Sequence, residues 1–346
     1  MIQLSAKRTI VLFLVLCLLA GGVAAWFAHL LVNPKDKIRE DQLFIVKEGS
    51  TLKQVASSLE RDGIVNSRYP MIVWGKLNGN DKKIKAGEYR LGSHMAPVKI
   101  METLIKGNIL SYSMTIPEGF TVKQIADLLH EKGLCDKEAF LSSVHEAPEG
   151  KDGEIQAPNL EGYLYPDTYK FARGISPVSI VHMMIERFKE QTLPFREKID
   201  GSGMTMDEIV TIASIVEKET GTAEERPVIA SVFLNRLKKG MRLESDPTVI
   251  YGIADFNGNL TKKDLKRPGP YNTYTKKGLP AGPIANPGID SIHAVLYPSE
   301  TDFLFFVSKN NGTHYFSKTL REHNRAVRKY QQRSRKKSGR RKATGG

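Results

Sequence analysis

The stretch TMDEIVTIASIVEKETGTAEERPVIASVFLNRLKKGMRLESDPTVIYG, residues 205–252, decides how the rest of the chain is read. It predicts two helices and a tight loop. Thr205 followed by Glu208 is a capping box that opens a helix. Ile209, Ile212, Ala213 and Val216 then recur at helical spacing, so one face is buried. Glu217 lies beside that face, directly after Ile215 and Val216. Glu219, two residues on, is directed elsewhere, because neighbours two apart do not share a helix face. A second helix starts at Pro227, a favoured first-turn residue. It buries Val228, Ile229, Val232, Phe233 and Leu237 and stops at Gly240. The loop Ser245-Asp246-Pro247-Thr248 follows, with Tyr251 just after it.

A carboxyl at the edge of an apolar face is placed to hold a proton near neutral pH, since burial disfavours its charged form. Such a group suits protonation of a glycosidic oxygen. The plainer reading pairs Glu217 with Lys218 or Arg226 at the surface, and periodicity alone favours it. Resemblance shifts the balance. ASIVEKET (213–220), ASVFLNRLKKGMRLESDPTVIYG (230–252), YNTYTKKGLPAGPIANPG (271–288) and LEGYLYPDTY (160–169) resemble, in order, motifs of the endolytic murein transglycosylases, the YceG-like family. The likeness covers nearly the whole chain outside its C-terminal tail.

The resemblance implies a lytic transglycosylase without a cofactor. Such an enzyme cleaves the β-1,4 bond between N-acetylmuramic acid and N-acetylglucosamine within nascent glycan strands. It leaves 1,6-anhydro ends and terminates elongation, with peptidoglycan synthases (penicillin-binding proteins) as partners. Glu217 takes the family's acid/base position. Asn235, Asp246, Thr248, Tyr251, Tyr271 and Asn272 are candidates for holding sugars or orienting that acid. Glu161, Tyr165 and Asn286 join them: Leu160–Tyr169 interleaves aromatics with carboxylates, as a sugar groove does, and Glu161 is the rival acid. The segment 268–288 is stiffened by five prolines and lined by polar side chains. One departure stands out: Glu244 occupies a position where the family commonly has glutamine. A solvent-facing side chain is its simpler reading.

The net charge of +13 invites a nucleic-acid partner, but seven of the excess basic residues lie in 331–346, which contains no acidic residue. The excess is a tail property, suited to an anionic surface, and no nucleic acid is expected. The two cysteines, Cys17 and Cys135, do not form a disulfide framework, and no Cys or His spacing fits a metal site.

Residues 10–32 are apolar except for His29, long enough to span a bilayer, which needs about 20 residues. Lys7 and Arg8 precede them, placing residues 1–9 in the cytoplasm and the rest outside the inner membrane. A cleaved signal peptide is the rival reading, against which stands the lack of a processing site. A strand at 44–46 leads into VKEGSTLKQVASSLERDGI (46–64), and a related segment, IPEGFTVKQIADLLHEKGL, occupies 116–134. Each copy resembles half of a LysM module. A strand is expected at 86–91, a helix at 98–105, a loop at 145–159 and a helix at 177–190 packing behind the 205-onward helix. Asn311-Gly312 signals a hairpin, and a last helix runs from Arg321 to Tyr330. His314 and His323 are read as surface or hairpin-face residues without chemistry.

The expected organisation is α+β: a transmembrane helix at 10–32, a LysM-like module at 42–110, a catalytic domain at 113–330 and a basic tail at 331–346. Within the catalytic domain the second repeat takes 114–135 and the core 158–330. The competing class is a membrane-anchored wall-binding protein with no catalysis.

Overall fold

The computed structural model describes residues 6–35, 41–146 and 159–332. These form a mixed helix and strand fold whose sheets are two-stranded, β1–β2, β3–β4 and β5–β6. Helix α1, Ala6–Val32, carries the apolar run; its segment Phe13–Val32 has a mean hydropathy of 2.2 over 20 residues, long and apolar enough to cross a membrane. Parts of the expected N-terminus, the loop at 145–159 and the basic tail lie outside the described residues.

The chain divides into two compact units, Met1–Met114 with Lys170–Ser176, and Thr115–Tyr169 with Pro177–Gly346. In the first, β1 (Gln42–Val46) is followed by α2 (Leu52–Arg61), α3 (Arg68–Leu77), β2 (Gly87–Leu91) and α4 (Pro97–Lys106). Strands β1 and β2 pair antiparallel, with Gln42 opposite Leu91 and Val46 opposite Gly87. Phe44 and Val46 point inward and Leu43 and Ile45 outward, the alternation of a strand with one covered face. Val55, Leu59, Met71, Tyr89, Ile100 and Leu104 complete the core. Tyr89 is buried without penalty because its hydroxyl donates to the carbonyl of Lys85 at 2.7 Å.

Strand β3 (Ser111–Thr115) pairs with β4 (Thr168–Ala172). Between them lie α5 (Val122–Glu131) and α6 (Lys137–Glu146). Helix α7, Pro177–Thr192, buries Ile180, Val181, Met184, Ile185 and Phe188 as its pattern predicts. Its main helical neighbour is α6 rather than the helix at 205. After the short α8 (Arg196–Asp200), α9 runs from Met206 to Glu219 and opens with the predicted capping box of Thr205 and Glu208.

Helix α9 departs from expectation in one respect. Every residue from Ile209 to Val216 is buried, not one face only. α10 (Arg226–Lys238), α11 (Asp246–Tyr251) and α13 (Ile289–Leu296) all pack on it. The polar Ser214 is accommodated because its hydroxyl donates to Thr211 O and accepts from the Ile284 amide. In α10, Val228 and Leu237 are half-buried while Arg236 is buried. α12 (Lys262–Lys266) precedes the proline-rich segment. β5 (Phe305–Ser308) and β6 (His314–Ser317) form the predicted hairpin, with a five-residue connection, Lys309 to Thr313, in which Asn310 and Gly312 adopt positive φ. α14 (Leu320–Val327) closes the described chain with a π-helical turn at Arg328–Gln332.

Candidate active site

The last turn of α9 presents Glu217, Lys218 and Glu219 about 100° apart around the helix. Because α9 is enclosed, each meets different surroundings.

Glu217 Oε2 accepts from the Ser291 hydroxyl at 2.7 Å and the Gly288 amide at 3.1 Å, both at the start of α13. Its other oxygen lies 3.5 Å from the Arg226 guanidinium. The same guanidinium reaches Glu118 and Asp290 at 3.5 Å each. Burial, then the Glu217 charge, raises the Glu118 carboxyl above its ordinary range. Tyr165 is buried nearby, hydrogen-bonded to the Ile289 backbone. Glu217 thus sits at the end of the buried run with its side chain only 8% exposed, surrounded by donors and a cation.

Glu219 is half-buried and held from another side. The Ser245 hydroxyl donates to it at 2.6 Å. Burial pushes its carboxyl up, opposed by the Ser245 hydrogen bond; Asp246 adds to the rise, while His314 and Arg236 offset part of it. It faces a cavity of about 370 Å³ lined also by Arg236, Glu244, Asp246, Tyr274 and His323. Glu219 is directed elsewhere than Glu217, as the helix geometry predicts. It points away from Glu217 and into its own polar cavity.

Of the predicted residues, Asp246 lines that cavity, while Thr248, Asn235 and Asn272 lie outside its lining. Thr248 is fully buried, donating to Ser245 O at 2.7 Å and bonded to the Thr273 hydroxyl at 2.8 Å. Thr273 in turn receives the Ser245 amide at 3.0 Å, so the loop that carries Ser245 is pinned on both sides. Asp246 accepts from Tyr274 at 2.6 Å. Asn272 is buried: its amide donates to the carbonyls of Asp264, Leu265 and Arg267, and its oxygen accepts from the Tyr274 backbone. Asn235 donates to Thr301 O and Phe303 O. Arg236 clips Leu243 O at 2.7 Å to Leu304 O at 2.6 Å. Glu244 has a φ of 52° and lies 3.5 Å from Arg236, facing the cavity with half its side chain exposed rather than simply facing solvent.

Two histidines given no chemistry are part of this neighbourhood, His314 on the hairpin strand β6 as read and His323 on α14. His314 is held by Glu225, ring Nδ1 to carboxylate 2.7 Å and backbone amide to carboxylate 2.9 Å. His323 stacks on Phe305 at 5.3 Å, and burial lowers its pKa.

Glu161, Tyr251 and Asn286 form a separate cluster. Glu161 accepts from the Val122 amide, the Asn286 side chain at 3.1 Å and the Tyr251 hydroxyl at 3.0 Å. Burial lifts its carboxyl to about 7, against the pull of the Tyr251 and Val122 donors. Asn286, fully buried, also accepts the amides of Gly162 and Leu164 and donates to Phe120 O, so its side-chain hydrogen-bonding capacity is spent inside the protein. Tyr271 packs edge-on against Tyr251 at 4.7 Å, and both border a further cavity of about 710 Å³.

The pattern of the YceG-like family matches residues 44–329. An endolytic murein transglycosylase of Bacillus subtilis is 33% identical over 330 residues, covering 90% of this chain and 91% of the relative. Two of Streptococcus pneumoniae are 29% and 28% identical over 93% of this chain, which spans 65% of their length. A crystal structure of a YceG-like protein from Listeria monocytogenes aligns with a TM-score of 0.57 at 34% identity, covering 83% of this chain and 98% of that one.

Proposed function

Because the chain belongs to the YceG-like family, we propose that it is an endolytic peptidoglycan lytic transglycosylase whose acid/base is Glu219. The observation that carries the choice of residue is the half-buried Glu219 carboxyl, held by the Ser245 hydroxyl at 2.6 Å and lining a polar cavity, where desolvation raises its pKa. Asp246 and Tyr274, 28 residues apart, line that cavity together, and Thr248 and Thr273 pin the loop that carries Ser245.

Glu219 begins protonated and gives its proton to the oxygen leaving the muramic acid as the C1–O4 bond breaks. The carboxylate then takes the proton of the same sugar's C6 hydroxyl while that oxygen bonds to C1. The product is a 1,6-anhydro ring, and no water is consumed. One carboxyl suffices because the nucleophile is intramolecular and already positioned. Ser245 and Arg236 favour the carboxylate formed midway.

A second reading keeps the acid at Glu217, as the family resemblance implies, with Glu118 sharing its guanidinium. Substitution separates the two. Glu219→Gln should lower release of anhydro-ended fragments from purified sacculi by about 10² to 10⁴, the usual loss for an acid/base. Glu217→Gln should retain more activity. The reverse ranking, read by mass spectrometry of the fragments, moves the acid to Glu217. Intact sacculi with bound wild-type protein would instead indicate a binding module.

The wider reading places residues 10–32 in the inner membrane as an anchor with the catalytic unit outside, beside a synthase. The β1–α2–α3–β2 segment is then a LysM-like, glycan-holding module. Membrane-extracted protein should retain Met1 or the residue after it; an N-terminus beyond residue 20 would make the helix a cleaved signal.

A further inference from the structure

A cavity of about 770 Å³ lies on the other side of the α9 terminus from Glu219, and nothing so far gives it a role. Its floor is apolar, with Leu141, Val144, Ile250 and Ile284. Lys123 and Lys218 stand on its wall; neither forms a close salt bridge among the described residues, and Lys218 acts on the Glu161 carboxyl only at longer range. The carboxylate that lines it, Glu161, is committed to Val122, Asn286 and Tyr251. Beside the neutral Thr121, Gln124 and Asn159, the full charges left for a ligand are those of the two lysines. A neutral, hydroxyl-rich sugar finds few partners on such a floor. A short peptide with methyl side chains and carboxylates finds both kinds.

Location narrows the occupant further. The two cavities share a wall of consecutive residues. Lys218 faces the larger cavity and Glu219 the smaller; Pro247 faces the larger and Asp246 the smaller. Consecutive Cα atoms are about 3.8 Å apart, so a substituent on a sugar bound at Glu219 needs to cross only one residue's width. Muramic acid carries such a substituent, an acidic peptide joined through its lactyl group.

We propose that this cavity receives the stem peptide of the muramic acid seated at Glu219, with Lys218 and Lys123 pairing its carboxylates and the α6–α11 surface covering its methyl groups. The proposal rests on the transglycosylase reading for the identity of the sugar, but its test does not depend on turnover.

The test compares binding of two soluble ligands to the full-length protein in detergent by calorimetry: a disaccharide tetrapeptide and the same disaccharide without peptide. The peptide should tighten binding about tenfold, the scale of a charge-assisted contact plus modest apolar burial. That gain should shrink as salt is raised. Lys218→Met should remove most of it while leaving the peptide-free ligand unaffected. Lys218 also donates to Gly119 O, so Lys123→Glu on the exposed face of α5 provides a second variant that does not touch the core. Equal affinity for the two ligands, no binding of the peptide ligand, or variants that weaken both ligands alike would overturn the proposal. A wild type that discriminates the ligands yet yields no anhydro product would leave the peptide site standing and remove the transglycosylase reading instead.

Discussion

The two copies of the repeat, 46–64 and 116–134, share their local structure and differ in what the surrounding chain does with them. In each, a glycine at positive φ precedes a helix, Gly49 at 77° and Gly119 at 73°. Each helix opens with a complete capping box, Thr51 with Gln54 and Thr121 with Gln124. Each buries the same face, Val55, Ala56 and Leu59 in one and Ile125, Ala126 and Leu129 in the other. The sequence identities between the copies fall largely on these positions, where local backbone geometry and one packed face are decided. The contacts beyond them diverge. In the first copy Glu48 accepts from the Ser176 amide. In the second, Glu118 shares Arg226 with Glu217, Gly119 O accepts from Lys218, Phe120 O accepts twice from Asn286, and the Val122 amide gives to Glu161. One copy supports a core. The other is tied to three family motifs at once. The same local structure is thus set in different surroundings, and fold alone does not fix what each copy does.

The largest effect that separates the copies is expected at Glu161, which caps the second helix. Glu161→Ala strips an acceptor from three buried donors, each costing about 1 to 3 kcal/mol when left unpaired. Hydrogen exchange should show α5 losing protection while α2 keeps its own. Equal loss in both helices would mean that the copies are not energetically separate. The same residue predicts a pH dependence. Its folded pKa of about 7 lies above the ordinary 4.5. Its contribution is therefore fully present below about 4.5 and is lost as pH rises through about 7, where the buried carboxyl ionises. Melting temperature should fall between pH 5.5 and 8.5 in the wild type, and Glu161→Gln should flatten that fall.

The sequence made visible those elements whose signals are local. The capping box of α9, the strand β2, the helices α4, α7 and α10 and the repeat were all legible from caps, periodicity or self-similarity. Helix α3 was missed because RYPMIVWGKL carries a proline and several poor helix formers; Pro70 is tolerated there because it sits in the first turn. Helix α6 was missed because its ten residues bury little beyond Phe140 and Val144. At the site, periodicity gave an incomplete picture: it assumed one buried face and weighed Glu217 alone, whereas residues 209–216 of α9 are enclosed on all sides and Glu219 also meets a polar cavity. The wall that buries Glu219 comes from Ser245, 26 residues away, with cavity lining from the β5 strand and α14. A hint was present: Thr211 and Ser214, polar residues inside an apolar run, mark a second enclosed side whose hydroxyls must be satisfied. Glu161 and Asn286 show a further limit. They were chosen as sugar contacts for their chemistry, and that chemistry turns out to be used up in joining 120–122 to 160–164 and 286.

The smallest and sharpest test of the comparison is a matched pair of glycine substitutions. Gly49→Ala and Gly119→Ala each force an L side chain into the left-handed region, at a cost of about 1 to 2 kcal/mol. Around Gly49 the added methyl would meet nothing within 4 Å, so strain is the whole effect. At Gly119 it would rest 3.5 Å from Glu217 Cγ and 3.6 Å from Lys218 Cδ, ordinary contact distances that add no clash. The two variants should therefore lose similar stability. Their consequences should differ, because relaxing the strained φ at Gly119 moves the carbonyl that accepts from Lys218 and the amide that donates to Asn286 O at 2.9 Å. Thermal melts should shift by comparable amounts, while cleavage of glycan strands falls only in Gly119→Ala. Equal activity in the two would mean that the backbone at 119 supports the second copy only as the backbone at 49 supports the first, and that the link from the repeat to the end of α9 is packing without functional consequence.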